Sequence, residues 1–143
     1  MTTFDRSTIE RWSVGAIAVG MLPVGVQAAF APRSFYDDFP LGRSWIAREG
    51  GGYNEHLVRD VGVLFLAMVL YTGWTVWKRH PLRPVAVAWL LQGLLHVVYH
   101  AGHLDGYESG DKVGLIGSLV LIPALAALAL WAGVSPPREE PRQ

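Results

Sequence analysis

Four stretches of this chain are apolar and long enough to cross a lipid bilayer, and this limits the fold more than any other feature. A backbone N–H or C=O left unpaired in hydrocarbon costs several kcal/mol, so a spanning segment must be a helix or part of a closed barrel. About 20 apolar residues in helical form cover a hydrocarbon core of roughly 30 Å. The clearest such segment is 113–133, which holds no Asp, Glu, Lys or Arg. The others run from about Trp12 to Ala31, from His56 to Trp77 and from Pro84 to Gly102. Each is too long for a strand. The expected architecture is therefore all-α, a four-transmembrane-helix bundle occupying residues 1–134 as one domain. The charged, proline-rich stretch 135–143 reads as a disordered cytoplasmic tail.

Composition narrows the class further. Apolar residues make up 51% of the chain, too many for a small soluble domain. Twelve basic residues balance twelve acidic ones, so net charge points to no nucleic-acid partner. Cysteine is absent, which removes disulfides, cysteine-rich zinc sites and iron–sulfur clusters. Tryptophans and tyrosines near the segment ends resemble the aromatic belts of membrane interfaces. Pro23 and Pro123 predict kinks in the first and fourth segments. Val26-Gln27-Ala28 resembles a signal-peptide cleavage site, but a retained first helix is the expectation.

Between the first two segments, residues 32–56 mix Phe35, Tyr36, Phe39 and Trp45 with Asp37, Asp38, Arg43 and Arg48. That mixture predicts a stretch lying among headgroups, with Gly50-Gly51-Gly52 as a hinge into the next helix. Orientation follows from the basic residues. Arg6, Arg11, Lys78, Arg79, Arg83, Arg138 and Arg142 share one side; Arg33, Arg43, Arg48, Arg59 and Lys112 share the other. The shortest loop, 78–83, is also the most basic. The positive-inside rule places both termini and that loop in the cytoplasm of a multi-pass cell-membrane protein.

With this topology two polar runs meet at the extracytoplasmic side. Tyr53-Asn54-Glu55-His56-Leu57-Val58-Arg59-Asp60 opens the second segment, and His96-Val97-Val98-Tyr99-His100-Ala101-Gly102-His103-Leu104-Asp105 closes the third. His56 and Asp60 are four apart, one face of a helix. His96, His100 and His103 follow an i, i+4, i+7 stripe that Gln92 and Trp89 extend inward. His96 lies roughly 10 Å deeper than His103 at 1.5 Å per residue. An ionisable group at that depth is costly and needs a partner. A metal ion would satisfy several such groups together: His56, Asp60, His96, His100 and His103 are the candidate ligands for zinc, copper or iron. Glu55 and Asp105 are candidate partners of the ligating imidazoles. Taken singly, these residues have simpler readings. His103 would cap a helix carbonyl or reach interfacial water, and His56–Asp60 would be an intrahelical hydrogen bond. Gly114, Gly117 and Ser118, with the alanines of 124–129, would let helices approach closely.

The pattern Phe35-Tyr36-Asp37-Asp38-Phe39-Pro40, Trp45, Tyr53 to Gly62, then His96-x-x-x-His100-x-x-His103 resembles a family of small bacterial four-helix integral membrane proteins. The resemblance covers roughly residues 10–133. It implies the four-helix topology and no activity. A looser likeness, to intramembrane metal enzymes that use His-x-x-x-His with an Asp from another helix, is an analogy between sites only.

Three functions follow as expectations. The first is a metalloenzyme, hydrolase or oxidoreductase, acting on a lipid or other apolar small molecule at the outer face, with Glu55 or Asp60 as base. The second is a haem-b electron carrier with axial histidines from the second and third segments. The third is a non-catalytic membrane subunit or lipid-binding module, in which the histidines form a hydrogen-bonded plug or proton path. A homo-oligomer or a partner membrane subunit is compatible with each.

Overall fold

The structure, a computed structural model, describes residues 5–134. The expected tail, 135–143, lies outside the described residues. Six helices follow one another: α1 (Arg6–Phe30), α2 (Pro32–Asp38), α3 (Trp45–Arg48), α4 (Glu55–Lys78), α5 (Arg83–Ala101) and α6 (Ser109–Ala132). The four long ones, α1, α4, α5 and α6, are each long and apolar enough to cross a membrane. They correspond to the four expected segments. α1 and α6 begin earlier than hydropathy suggests, because a helix continues past the point where its sequence turns polar. Asp111 in the first turn of α6 favours this extension, since a carboxylate suits a helix N-terminus. Both helices continue through their prolines, Pro23 and Pro123. The stretch between the first two spans includes two short helices, α2 and α3.

α1 lies between α4 and α6, and α5 packs against α6. This central place makes α1 the most buried of the four. Val14, Ile17, Ala18, Met21, Gly25, Ala28 and Ala29 form a stripe at alternating three- and four-residue spacing, the period of a helix-packing seam. Large apolar side chains such as Phe30, Leu70, Val98 and Val113 lie on the outside. A water-soluble bundle would bury them, whereas a bundle surrounded by lipid gains nothing by doing so.

Close packing is set where side chains are missing. A Cβ on Gly62 of α4 would stand 2.7 Å from the Ala28 carbonyl carbon and closer still to the Ala29 nitrogen. On Gly93 of α5 it would stand 2.7 Å from the Pro123 ring of α6. The expected small-residue contact is met in part: Ala126 and Ala129 are wholly buried, while Gly117 faces open space. Two arginines tie α1 to α4 reciprocally. Arg11 of α1 donates to the Val76 carbonyl at 2.9 Å, and Arg59 of α4 donates to the Ala29 carbonyl at 2.6 Å. Each guanidinium meets carbonyls near a helix C-terminus, where the helix dipole favours a cation.

Candidate functional site at the loop end

Chain direction brings the end of α1, the start of α4, the end of α5 and the start of α6 to one end of the bundle, together with α2 and α3. This loop end is where the polar runs of the sequence lie. α2 starts at Pro32, a residue suited to a first helical turn, and buries Phe35 against Phe39 with ring centroids 4.8 Å apart. The turn that follows holds Leu41, Gly42 and Ser44 in left-handed backbone conformation. It delivers α3 onto the ends of α5 and α6.

There α3 is clamped by charge. Asp111 of α6, nearly fully buried, accepts from Arg43 at 2.5 Å and from Arg48 at 3.0 Å. Glu49, one residue beyond α3, lies 2.6 Å from His100 Nδ1 of α5, off the line of a hydrogen bond. The Tyr107 hydroxyl donates to the Trp45 carbonyl at 2.5 Å and lies 3.4 Å from Glu49. Burial, and then the Glu49 carboxylate beside it, push the Tyr107 phenol up to about 12.

The sign of that shift makes a prediction. The folded loop holds the neutral phenol, so its contribution to stability is intact below the ordinary tyrosine value of 10.0 and is lost as pH rises towards about 12. An absorbance titration of tyrosinate should show one late-ionising tyrosine that disappears in Tyr107→Phe. An unchanged titration curve in that variant would contradict the docked position of Tyr107.

The Asn54–Asp60 run has local structural roles. The Asn54 side chain accepts from the Leu57 N–H at 3.1 Å and caps α4. Glu55, expected as a base, pairs with Arg59 at 2.9 Å, and Arg59 in turn reaches α1. His56 and Asp60 pair with each other at 3.3 Å on the outside of α4, both well exposed. On α5, His96 and His100 meet edge to face with ring centroids 4.6 Å apart. His103 leaves their stripe because α5 ends at Ala101. Its ring stacks on Tyr99 and its Nδ1 lies 2.7 Å from the Tyr99 carbonyl, the capping role expected of it alone. Asp105 is exposed in the following turn.

The structure therefore sets His100 against His96 on one side and Glu49 on another, and separately pairs His56 with Asp60. Among the described residues, no three His, Asp or Glu side chains gather closely enough to hold a metal ion. The residues the sequence did not single out are Glu49, Tyr107 and Asp111. The Trp45-Ile46-Ala47-Arg48-Glu49 run before the glycine hinge was the available signal, since a short helix there places Trp45 and Glu49 on one face. Which helix end it docks on is not written locally.

Between α3, the start of α4 and the end of α5 lies a cleft of about 300 Å³. Ile46, Leu57 and Val58 supply apolar walls, Tyr36 and Tyr99 supply rings, and Glu49 is its one carboxylate. The Tyr36 hydroxyl donates to the Gly51 carbonyl, which holds the glycine hinge across one side. Deeper along α5, the Gln92 side-chain oxygen is buried with no hydrogen-bond partner among the described residues. No protein-family model, no curated protein and no solved structure matches this chain.

Proposed function

We propose that this chain is a non-catalytic, multi-pass membrane protein that binds a lipid or other apolar small molecule in the loop-end cleft. The observation that carries this reading is the cleft itself. Its volume of about 300 Å³ lies at the small end of ligand sites, roughly 300–1,000 Å³, and it combines apolar walls with a few polar groups. Leu57 and Tyr99 at its edge are half exposed, so a molecule can enter from the bilayer side. The distribution of Lys and Arg supports a cleft facing the extracytoplasmic leaflet. Val58→Trp fills the cleft from the first turn of α4. Calorimetric titration of short-chain amphiphiles into the purified protein should give saturable binding that this variant abolishes. No saturable binding to the wild type removes the reading.

The metal centre on His56, Asp60, His96, His100 and His103 is the alternative, and it requires the α4 pair to swing onto α5. Metal analysis discriminates: one equivalent of zinc, copper or iron, lost in the His96→Ala/His100→Ala double variant, would replace the binding-module reading. Haem ligation is less well supported, since His56 sits at the exposed rim of the bundle.

A further inference from the structure

We propose that the occupant of the loop-end cleft is an amphiphile with a cationic amine head, entering from the bilayer. This deepens the binding-module reading and rests on it. The argument is one of charge placement. Among the described residues, the loop end carries four arginines and Lys112; Lys112, in the first turn of α6, does not line the cleft, and each arginine is engaged elsewhere. Arg43 and Arg48 are held by Asp111, Arg33 by Asp37, and Arg59 by Glu55 and the Ala29 carbonyl.

No Lys or Arg lines the cleft, so a phosphate, sulfate or carboxylate head would be buried there without a counter-charge, beside a carboxylate. Glu49 is the one carboxylate among the lining residues, and its side chain is only 14% exposed. The rings of Tyr36 and Tyr99 also line the cleft, Tyr36 tilted against Tyr53 and one face of Tyr99 stacked on His103. A carboxylate with aromatic faces is the arrangement that attracts an ammonium group, through charge and through the ring quadrupole. Ile46, Leu57 and Val58 then receive the first part of a hydrocarbon tail, which continues into lipid past Leu57. His100 Nδ1 of α5 lies 2.6 Å from Glu49.

The test uses the full chain in neutral maltoside micelles and four probes read by calorimetry: hexyltrimethylammonium, hexyl phosphate, hexanol and tetramethylammonium. Hexyltrimethylammonium is expected to bind at least tenfold more tightly than hexyl phosphate and tetramethylammonium. Glu49→Gln is expected to weaken the ammonium probe about tenfold and to leave hexanol unchanged. Glu49→Gln also alters the contact with His100, so Tyr99→Leu, which leaves all charges in place, serves as the second variant and is expected to weaken the ammonium probe severalfold. Equal or tighter binding of hexyl phosphate overturns the amine assignment while keeping the cleft as a binding site. Tetramethylammonium binding as tightly as its hexyl form overturns the amphiphile. Ammonium binding that neither variant changes also overturns the proposal. If none of the four probes binds, the binding-module reading itself falls.

Discussion

Gly62→Ala is expected to destabilise the bundle by about 2–3 kcal/mol, at the upper end of the cost of overpacking a close contact. The added methyl group would overlap the backbone of Ala28 and Ala29, and backbone cannot turn aside as a flexible side chain can. α1 and α4 would have to separate, lengthening the reciprocal Arg11 and Arg59 hydrogen bonds at either end. Gly73 on the same helix supplies the control. A Cβ there meets nothing within 4 Å, so Gly73→Ala should show only the gain in helix propensity, about 0.8–1 kcal/mol of added stability. The two variants make the same chemical change on the same helix with opposite signs. Unfolding followed by circular dichroism in mixed maltoside and dodecyl sulfate micelles measures both. Equal stabilisation by the two would mean that α1 and α4 do not approach at Gly62.

Trp89→Ala is expected to cost about 3 kcal/mol, the low end of the range for truncating a buried aromatic. The low end applies because lipid tails are as apolar as the helix interior, so the loss is one of packing rather than of transfer from water. Trp89 is wholly buried. It lies parallel to Phe65 with centroids 6.4 Å apart and donates from its indole nitrogen to Thr72 Oγ1 at 3.0 Å. Both partners belong to α4, whose backbone stays away from that of α5. This indole therefore joins the two helices at mid-span. Trp89→Phe separates the terms. It keeps a ring in the space and loses the hydrogen bond, which costs about 0.6 kcal/mol on the average for hydrogen bonds between membrane helices. If Trp89→Ala were as mild as Trp89→Phe, α4 and α5 would have to be joined by something other than this side chain.

Trp89 also shows how the inward end of the histidine stripe differs from its outward end. Gln92, His96 and His100 share one face of α5, as their spacing requires. At the inner end that face meets Thr72 and Phe65 of α4. At the outer end it meets Glu49 from the α3 region and not His56. The sequence pattern places His96 and His100 correctly relative to each other, because both lie on one rigid helix. It placed His56 beside them only by assuming that α4 turns its polar face inward. His56 and Asp60 instead point outward, because the inward face of α4 at that level is taken by Arg59, reaching for the end of α1, and by Gly62, packed on Ala28 and Ala29.

His103 leaves the stripe for a related reason. The i, i+4, i+7 stripe presumes a continuous helix, and α5 stops at Ala101, two residues short. The simpler reading of that histidine, a cap on a carbonyl, agrees with the Tyr99 contact. Glu49, Tyr107 and Asp111 illustrate the converse limit. Each is unremarkable in its local sequence and becomes structurally important only because residues 31–54 fold back over the bundle end.

The amino-acid sequence by itself determined four apolar helices, the end of the bundle at which the polar runs collect, and the pairing of residues four apart on one helix. These are local properties, fixed by hydropathy over about 20 residues and by a repeat of 3.6 residues per turn. Only the tertiary structure decided how each helix is rotated about its axis, which helices touch, and where the α3 region docks. Rotation depends on where backbones can approach, at Gly62 and Gly93, and on contacts between residues far apart in the chain, such as Arg43 with Asp111 and Glu49 with His100.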